Sequence, residues 1–275
     1  MALKWQQLIA AIAVEDVVFN LARVGGPALA GFLIAGFGLG GAYAVDLATF
    51  SASFAAIWLL PAIPPAPGAD RPGLASVLAG LRYVRRKPVL LGIFLVDSNA
   101  MIFGMPSALF PALGEQLGGG PRTVGLLYAA PYAGALVASL VSGWVVHVRR
   151  QGVGVCVAAA GWGIAIALVG LTDRIWLALG FLAVAGAADF VSAVLRSTIL
   201  LQATPDAMRG RVSGIELAQV ASTPALGNLE AGVVASLASV RFSIVSGGVA
   251  CVVGTVATAL AVPALLRYDA RRANE

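Results

Sequence analysis

Long apolar runs, separated by short polar or glycine- and proline-rich stretches, fill almost the whole 275-residue chain. A helix that crosses a membrane needs about 20 mostly apolar residues. The runs do not alternate apolar and polar residues as the strands of an outer-membrane barrel do, so we predict helices. The predicted fold class is an all-α membrane protein, a polytopic bundle of about eight transmembrane helices. The predicted spans are Val14–Gly38, Gly41–Ala62, Val89–Leu113, Thr123–Val148, Val153–Leu171, Ile175–Ala203, Ala207–Ala238 and Phe242–Leu266.

The connections between the runs divide the chain into three parts. Gly36–Gly41, which holds four glycines, predicts a tight hairpin between the first two spans. Pro61–Pro67 contains four prolines, so it cannot continue a helix and predicts a stiff linker. Leu74–Lys87 has apolar residues at helical spacing and ends in a basic cluster, which is typical of an amphipathic helix on a membrane surface. We therefore predict a two-helix unit (1–62), a linker with a surface helix (63–88) and a six-helix bundle with a short tail (89–275).

The composition identifies lipid as the solvent of this chain. Hydrophobic residues make up 59% and charged residues only 11%, whereas soluble domains have roughly 25% charged residues. The mean hydropathy is +0.90. The net charge of +5 does not indicate nucleic-acid binding, because the basic residues lie in short loops and form no continuous polar face. The expected partner is therefore the lipid bilayer, and no nucleic acid is expected.

The distribution of basic residues predicts the topology. If the proline-rich linker lies in the cytoplasm, twelve lysines and arginines fall on the cytoplasmic side, against only three in the opposite loops. Because cytoplasmic loops carry an excess of Lys and Arg, this arrangement places the linker and the C-terminus inside. With an even number of spans, the N-terminus also lies inside. The three residues expected on the far side are Arg122, Arg174 and Arg241.

The first span combines polar residues with small ones. An arginine within a hydrocarbon-length segment is costly and normally faces the interior of a bundle or a watery cavity. Glycines let a second helix come close, and proline loosens the helix. The polar residues of this span either line a pathway or form an ion pair. The small residues and the proline either form a packing hinge or simply allow close packing. The polar residues are Asn20 and Arg23, and the packing residues are Gly25, Gly26, Pro27 and Gly31.

Further polar residues in later spans are candidates for a substrate or proton pathway, because ionisable groups in membrane helices often mark one. On the third span, Asp97 could cycle a proton or simply pair with a basic residue, and Asn99 lies beside it. Two turns separate Asp189 from Arg196, so they share a helix face, but the rise between them argues against direct contact. On the predicted span Ala207–Ala238, which a proline kinks, Gln219 and Glu230 are predicted to line the pathway. Glu216 lies on the same face of that helix and is expected to pair with Arg209 and Arg211.

Several motifs resemble the major facilitator superfamily of transporters. The segment from Arg23 to Gly31 resembles the antiporter motif in the fifth helix of its exporters, and Gly143–Gly152 resembles its loop motif, with His147 in place of the usual acidic residue. Three segments resemble the siderophore (enterobactin) exporter branch, and these are Phe103–Pro111, Leu126–Pro131 and Thr204–Arg211. The resemblance covers helices five to twelve of a family whose members have twelve.

This resemblance implies a secondary transporter of the bacterial inner membrane that exports a siderophore-like solute by proton-coupled alternating access. Its partners would be a small-molecule substrate and protons, with a second copy of the chain or a missing N-terminal half completing it. The alternatives are a multidrug efflux transporter and a truncated or partner-dependent membrane protein without transport of its own. We expect no cofactor and no metal site, because the single histidine has no cysteine or carboxylate cluster beside it and no nucleotide-binding motif is present. We expect no enzyme activity, because the sequence has no nucleophile–base or metal constellation.

Overall fold

A computed structural model describes residues 2–59 and 74–269, and this part of the chain is helical and contains no strand. Two short 3-10 helices, Ser107–Leu109 and Ser142–His147, interrupt the α-helical pattern. The α-helices are α1 (Ala2–Trp58), α2 (Leu74–Arg86), α3 (Pro88–Phe103), α4 (Phe110–Gln116), α5 (Pro121–Leu140), α6 (Gln151–Leu171), α7 (Ile175–Ala203), α8 (Asp206–Leu237), α9 (Val240–Ala261) and α10 (Pro263–Leu266).

Six segments of the described residues are long and apolar enough to cross a membrane, by length and composition. The fold is therefore that of an all-α, polytopic membrane protein. The sequence predicted eight spans, and the difference from six has two causes. Gly25–Trp58 covers most of the first two as one segment, and α8 does not qualify, because polar and charged residues are spread along its 32 residues.

The predicted hairpin at Gly36–Gly41 is a kink and not a loop. Only Gly38 leaves helical geometry, with φ 70° and ψ −179°, and helix continues on both sides of it. A positive φ is easily adopted only by glycine, so this residue allows the bend. Beyond the kink, none of residues 39–59 is buried. The glycines that predict a turn here instead permit a change of direction within α1.

A second difference concerns the predicted span Val89–Leu113, which is broken into α3 and α4. The helix ends at Phe103, and the chain passes through Gly104 and Pro106 before the 3-10 turn. Proline lacks the backbone N–H that would continue the helical bonding, which explains the break. The predicted span Thr123–Val148 likewise ends as an α-helix at Leu140 and continues as a 3-10 helix.

The bundle packs around α6, which contacts α7 on one side and α9 on the other. Small residues permit these approaches, since Cβ atoms built on Gly163 and Gly248 would lie 2.8 Å and 2.5 Å from each other's carbonyl oxygens. Two apolar cores result. One includes Leu90, Val155 and Leu265, and the other includes Leu113, Ile166 and Leu182. Every one of these large side chains is less than 2% exposed, so both cores are closely packed.

The predicted amphipathic helix is present as α2, but one face of it packs on the protein. Val84 is buried, and the Tyr83 hydroxyl donates to the carbonyl of Ala203 at 3.1 Å. A second face leaves Val77, Leu78 and Leu81 exposed. The helix is thus anchored against α8 and α3 and still presents an apolar surface outward. Residues 60–73, which include the whole of the predicted stiff linker Pro61–Pro67, lie outside the described residues.

Candidate functional site

Charged and polar side chains from three helices converge beside the first core. Asp97 of α3 forms an ion pair with Arg196 of α7, and both side chains are almost entirely buried. The Gln219 amide of α8 donates to Asp97 Oδ2 at 2.8 Å and to the Phe94 carbonyl at 3.2 Å. Since the surroundings are apolar, these contacts compensate for charges that would otherwise be costly to bury. The cluster joins α3, α7 and α8 through one carboxylate.

Arg196 also reaches a second carboxylate on its own helix. Its Nη2 lies 3.9 Å from Asp189 Oδ1, and the Asp189 side chain is 56% exposed. The expectation that two helical turns would prevent direct contact was wrong. Helical side chains lean toward the N-terminus of their helix, and the long arginine side chain covers the remaining distance. One guanidinium is therefore shared by a buried and an exposed carboxylate.

Glu216 joins this cluster, which the sequence did not predict. It lines a cavity of about 10 Å³ together with Asp97 and Arg196, and it interacts electrostatically with Arg196. Arg209, one of its two expected partners, instead pairs with Asp206 at 2.7 Å. The stripe that carries Gln219 does predict that Glu216 faces the same way, because residues three apart lie on one helix face.

Asn99 does not belong to the cluster, although it lies only two residues after Asp97. Its Nδ2 donates to the Cys251 carbonyl at 2.7 Å and to Thr255 Oγ1 at 3.3 Å, both on α9. Residues two apart on a helix point in different directions, so one carries the ionic cluster and the other ties α3 to α9. A pathway role for Asn99 stays a prediction.

The other predicted pathway residues are not brought to this cluster by the described contacts. Glu230 lies on α8 fourteen residues beyond Glu216, or about 21 Å along the helix axis, and it is partly buried. The side chains of Asn20 and Arg23 lie outside the described residues, although the backbone of both is helical. Their roles in the pathway stay predictions.

The predicted packing residues of α1 behave in two different ways. A Cβ atom on Gly31 would lie 2.8 Å from the Pro121 carbonyl oxygen and 2.9 Å from Gly125 Cα, so α1 and α5 touch backbone to backbone. The Pro27 carbonyl oxygen lies at the same contact, 2.6 Å from a Cβ built on Gly125. Around Gly25 and Gly26, in contrast, a Cβ meets nothing within 4 Å. A conformational role for these residues stays a prediction.

The break between α3 and α4 is supported by polar side chains that the sequence analysis missed. Trp162 Nε1 donates to the Gly104 carbonyl at 2.7 Å, and the Tyr128 hydroxyl donates to the Ser107 carbonyl at 2.8 Å. Asn228 Oδ1 accepts from the Ser107 hydroxyl and from the Ala108 amide, both at 2.9 Å. Irregular backbone at membrane depth requires such partners. The Gly-Met-Pro sequence within an apolar run was the signal for the break.

An open groove of about 630 Å³ lies between α5 and α7. Small apolar side chains line it, and the indole N–H of Trp144 is the single side-chain donor among the lining residues. Its size is that of a small-molecule site, but the lining favours apolar groups. The groove and the ionic cluster lie on different sides of α7. The groove is on the side toward α5, and the cluster is on the side toward α3 and α8.

Within the described residues, no three His, Cys, Asp or Glu side chains gather in a way that could hold a metal ion. Cys156 and Cys251 are free and buried, on α6 and α9. Cys251 Sγ lies 3.6 Å from the Ala159 carbonyl, the geometry of a weak hydrogen bond within the core. The chemistry available at the site is therefore that of charged and hydrogen-bonding side chains between membrane helices.

Comparison with known proteins identifies the family. The family model described as transmembrane secretion effector matches residues 2–274. Over 222 residues the chain is 32% identical to proteins called enterobactin exporter EntS, from Escherichia coli strains HS and SE11 and from Escherichia fergusonii. These alignments cover 81% of this chain and 53% of each relative, so the chain spans about half the length of the curated relatives it matches. Because the family match extends over nearly the whole sequence, the chain belongs to the transmembrane secretion effector family of the major facilitator superfamily.

Proposed function

We propose that this chain is a secondary exporter that moves a siderophore-like organic solute out of the cell. The observation that carries the proposal is the Asp97–Arg196 pair, a buried charge pair shared by membrane helices of a secretion family. Ionisable residues at such positions commonly mark a substrate or proton path. The name of the similar enterobactin exporters supports a catechol siderophore as the first substrate to test.

The proposed mechanism is alternating access driven by proton influx. The polar pathway is formed by Asp97, Asp189, Arg196 and Gln219, with Glu230, Asn20 and Arg23 as further lining residues. The contact of α1 with α5 at Gly31 supports a packing hinge, because two backbones that touch can rock or slide with little side-chain rearrangement. Pro27 lies at the same contact, and a proline loosens a helix because it cannot donate the helical hydrogen bond, which supports the proposed hinge.

The proposed location is the bacterial inner membrane, with both termini in the cytoplasm. The residues at the two ends of the bundle support this topology. Tyr83, Ala203 and the α10 region meet at the basic end of the bundle, while Arg241 pairs with Asp173 at 2.7 Å at the opposite end. Since the basic loops gather at one end, the positive-inside rule assigns that end to the cytoplasm.

A second candidate function is a partner-dependent bundle, for which a second copy or an N-terminal half is needed. The exposed part of α1 favours it. Asp46 and its neighbours Thr49, Ser51 and Ser53 are exposed on a membrane-length segment whose residues beyond the kink are unburied. An ionised carboxylate in contact with lipid is costly, so a protein surface covering Asp46 would stabilise the segment.

The function is tested by measuring export of a catechol siderophore from cells that express this chain, with and without a proton uncoupler. Uncoupler-sensitive export is expected, and Arg23→Ala should abolish it without reducing membrane insertion. Arg174→Ala removes an exposed loop arginine of the same charge and should export normally, which makes it the matched control. Undiminished export by Arg23→Ala would contradict the pathway role. Correct insertion without any export by the wild-type chain would favour the partner-dependent bundle, and restored export on co-expression of an N-terminal half would establish it.

A further inference from the structure

The carboxylate of Asp97 is fully engaged by donors. Arg196 pairs with Oδ1 and the Gln219 amide binds Oδ2 at 2.8 Å, while the residue is only 6% exposed. Both contacts favour the ionised carboxylate. Protonation of Asp97 would weaken two contacts that join three helices. This carboxylate therefore suits a fixed counter-charge better than a group that gains and loses a proton in every cycle.

Glu216 has the opposite surroundings. Its side chain is partly buried and lines the same small cavity, yet among the described residues its carboxylate takes part in no hydrogen bond and no ion pair. It lines the cavity with Arg196, and the two side chains interact electrostatically. Because no donor holds the ionised form, a proton can bind to and leave Glu216 without breaking an interhelical contact.

The charge balance of the cluster leaves room for one proton. Around the cavity, Asp97 and Glu216 share the single positive charge of Arg196, so two ionised carboxylates and one guanidinium give a formal charge of −1. Excess charge in a poorly solvated site is unfavourable. Asp97 is paired and Asp189 is more than half exposed. Glu216 is the member whose neutralisation relieves the excess at the least structural cost.

The cavity has room for a water molecule beside Glu216. Its volume is about 10 Å³, which is roughly the space of one water molecule. Arg196 Nε is buried and has no acceptor among the described residues. A water molecule that fits this cavity can accept from Nε and exchange a proton with the Glu216 carboxylate.

The charged groups on the neighbouring helices complete this environment. On α3 the cavity is faced by Asp97, and on α7 by Arg196 with Asp189 behind it. On α8 itself, Arg211 precedes Glu216 by five residues and is in contact with Met208. The basic residues of α2, the helix that packs on this part of α8, are exposed side chains, and these are Arg82, Arg85 and Arg86.

We propose that Glu216 is the carboxylate that carries the coupling proton, with Asp97 and Arg196 as the fixed ion pair beside it. The inference rests on the proposed exporter function and names the proton site within it. In each cycle the Glu216 carboxylate binds one proton from one side of the membrane to become a carboxylic acid, and it releases that proton to the other side. No electron transfer and no further reactant are involved.

The test that does not depend on transport is infrared spectroscopy of the purified chain in proteoliposomes, stepped between mildly acidic and mildly alkaline pH. Exposed carboxylates are ionised throughout this range, because their ordinary pKa values lie near 4. A carboxylic-acid C=O band that changes with pH is expected in the wild type. It should be lost in Glu216→Gln and retained in Glu115→Gln, which removes an exposed carboxylate on α4. Persistence of the band in Glu216→Gln, or its absence from the wild type, would overturn the proposal.

If Glu216→Gln does not fold, the Asp97→Asn variant shows independently which carboxylate gives the band. The band should persist in that variant, whereas its loss would assign the proton to Asp97. In the same vesicles, Glu216→Gln should exchange siderophore across the membrane but lose accumulation driven by a pH gradient. Wild-type vesicles that move no siderophore would refute the exporter function, while the infrared result would still decide whether Glu216 binds the proton.

Discussion

The ion pair between Asp97 and Arg196 makes a prediction that can be measured as a coupling free energy. Their side chains are 8% and 12% exposed, so removing one partner leaves the other charge buried without compensation. Such a loss costs about 3–5 kcal/mol in proteins. Neutralising both residues removes the charges together, so the double variant should be far less destabilised than the two single effects added. We expect a coupling of about 3 kcal/mol between Asp97→Asn and Arg196→Gln.

The assay is a double-mutant cycle on the purified chain in mixed micelles, in which loss of helical circular dichroism follows the addition of a denaturing detergent. The matched control is the pair of Arg241 and Asp173, which joins two helix ends at 2.7 Å with Asp173 85% exposed. An exposed pair is typically worth about 0.2–1 kcal/mol. If the two substitutions at the buried pair were additive within about 0.5 kcal/mol, the cluster would not hold the three helices together and our reasoning would be refuted.

Three further predictions concern packing and hydrogen bonds, each checked by unfolding or labelling of the purified chain. Gly31→Ala should destabilise by about 1–3 kcal/mol, because its methyl group would lie 2.9 Å from a backbone atom of α5; Gly26→Ala, with open space around it, should be neutral or stabilising. Asn228→Ala should cost about 1–3 kcal/mol, because the backbone amide and hydroxyl that it accepts from at the α3–α4 break lose their partner, and an unchanged unfolding midpoint would contradict this. Cys156 and Cys251 are 8% and 0% exposed, so a maleimide should label them only on unfolding; rapid labelling of the native chain would show that the core is open.

Much of the fold follows from apolar run length alone. Bilayer thickness sets a length that Ile175–Ala203 and Val153–Leu171 satisfy in the sequence, and the structure places helices at Ile175–Ala203 and Gln151–Leu171. Run length could not show that Val89–Leu113 breaks at Gly104. Side chains from three other helices decide whether that backbone can leave helical geometry. The run-length criterion also treated α8 like the apolar spans, although polar and charged residues are spread along that helix.

Asp97, Asp189, Arg196 and Gln219 were singled out in the sequence one by one, but their arrangement was not predicted. An aspartate and an arginine in apolar runs were correctly singled out as unusual, but sequence does not say which two runs are adjacent, so the pairing of Asp97 with Arg196 could not be predicted. The length of the arginine side chain was a second feature that helical spacing did not take into account. Spacing along α7 argued against contact between Asp189 and Arg196, and the length and direction of the arginine side chain reversed that expectation. Glu216 was assigned to arginines nearby in sequence, whereas the bundle turns it toward one from another helix.

Proton-coupled export is tested most directly by measuring efflux from proteoliposomes that contain only this purified chain, loaded with a catechol siderophore and subjected to an imposed pH gradient. We expect efflux that depends on the gradient and that stops when an uncoupler collapses it. This gradient-driven efflux should be lost in Glu216→Gln and kept in Glu115→Gln. Movement that ignores the gradient, or that is equally driven by it in Glu216→Gln, would contradict proton coupling through the charged cluster.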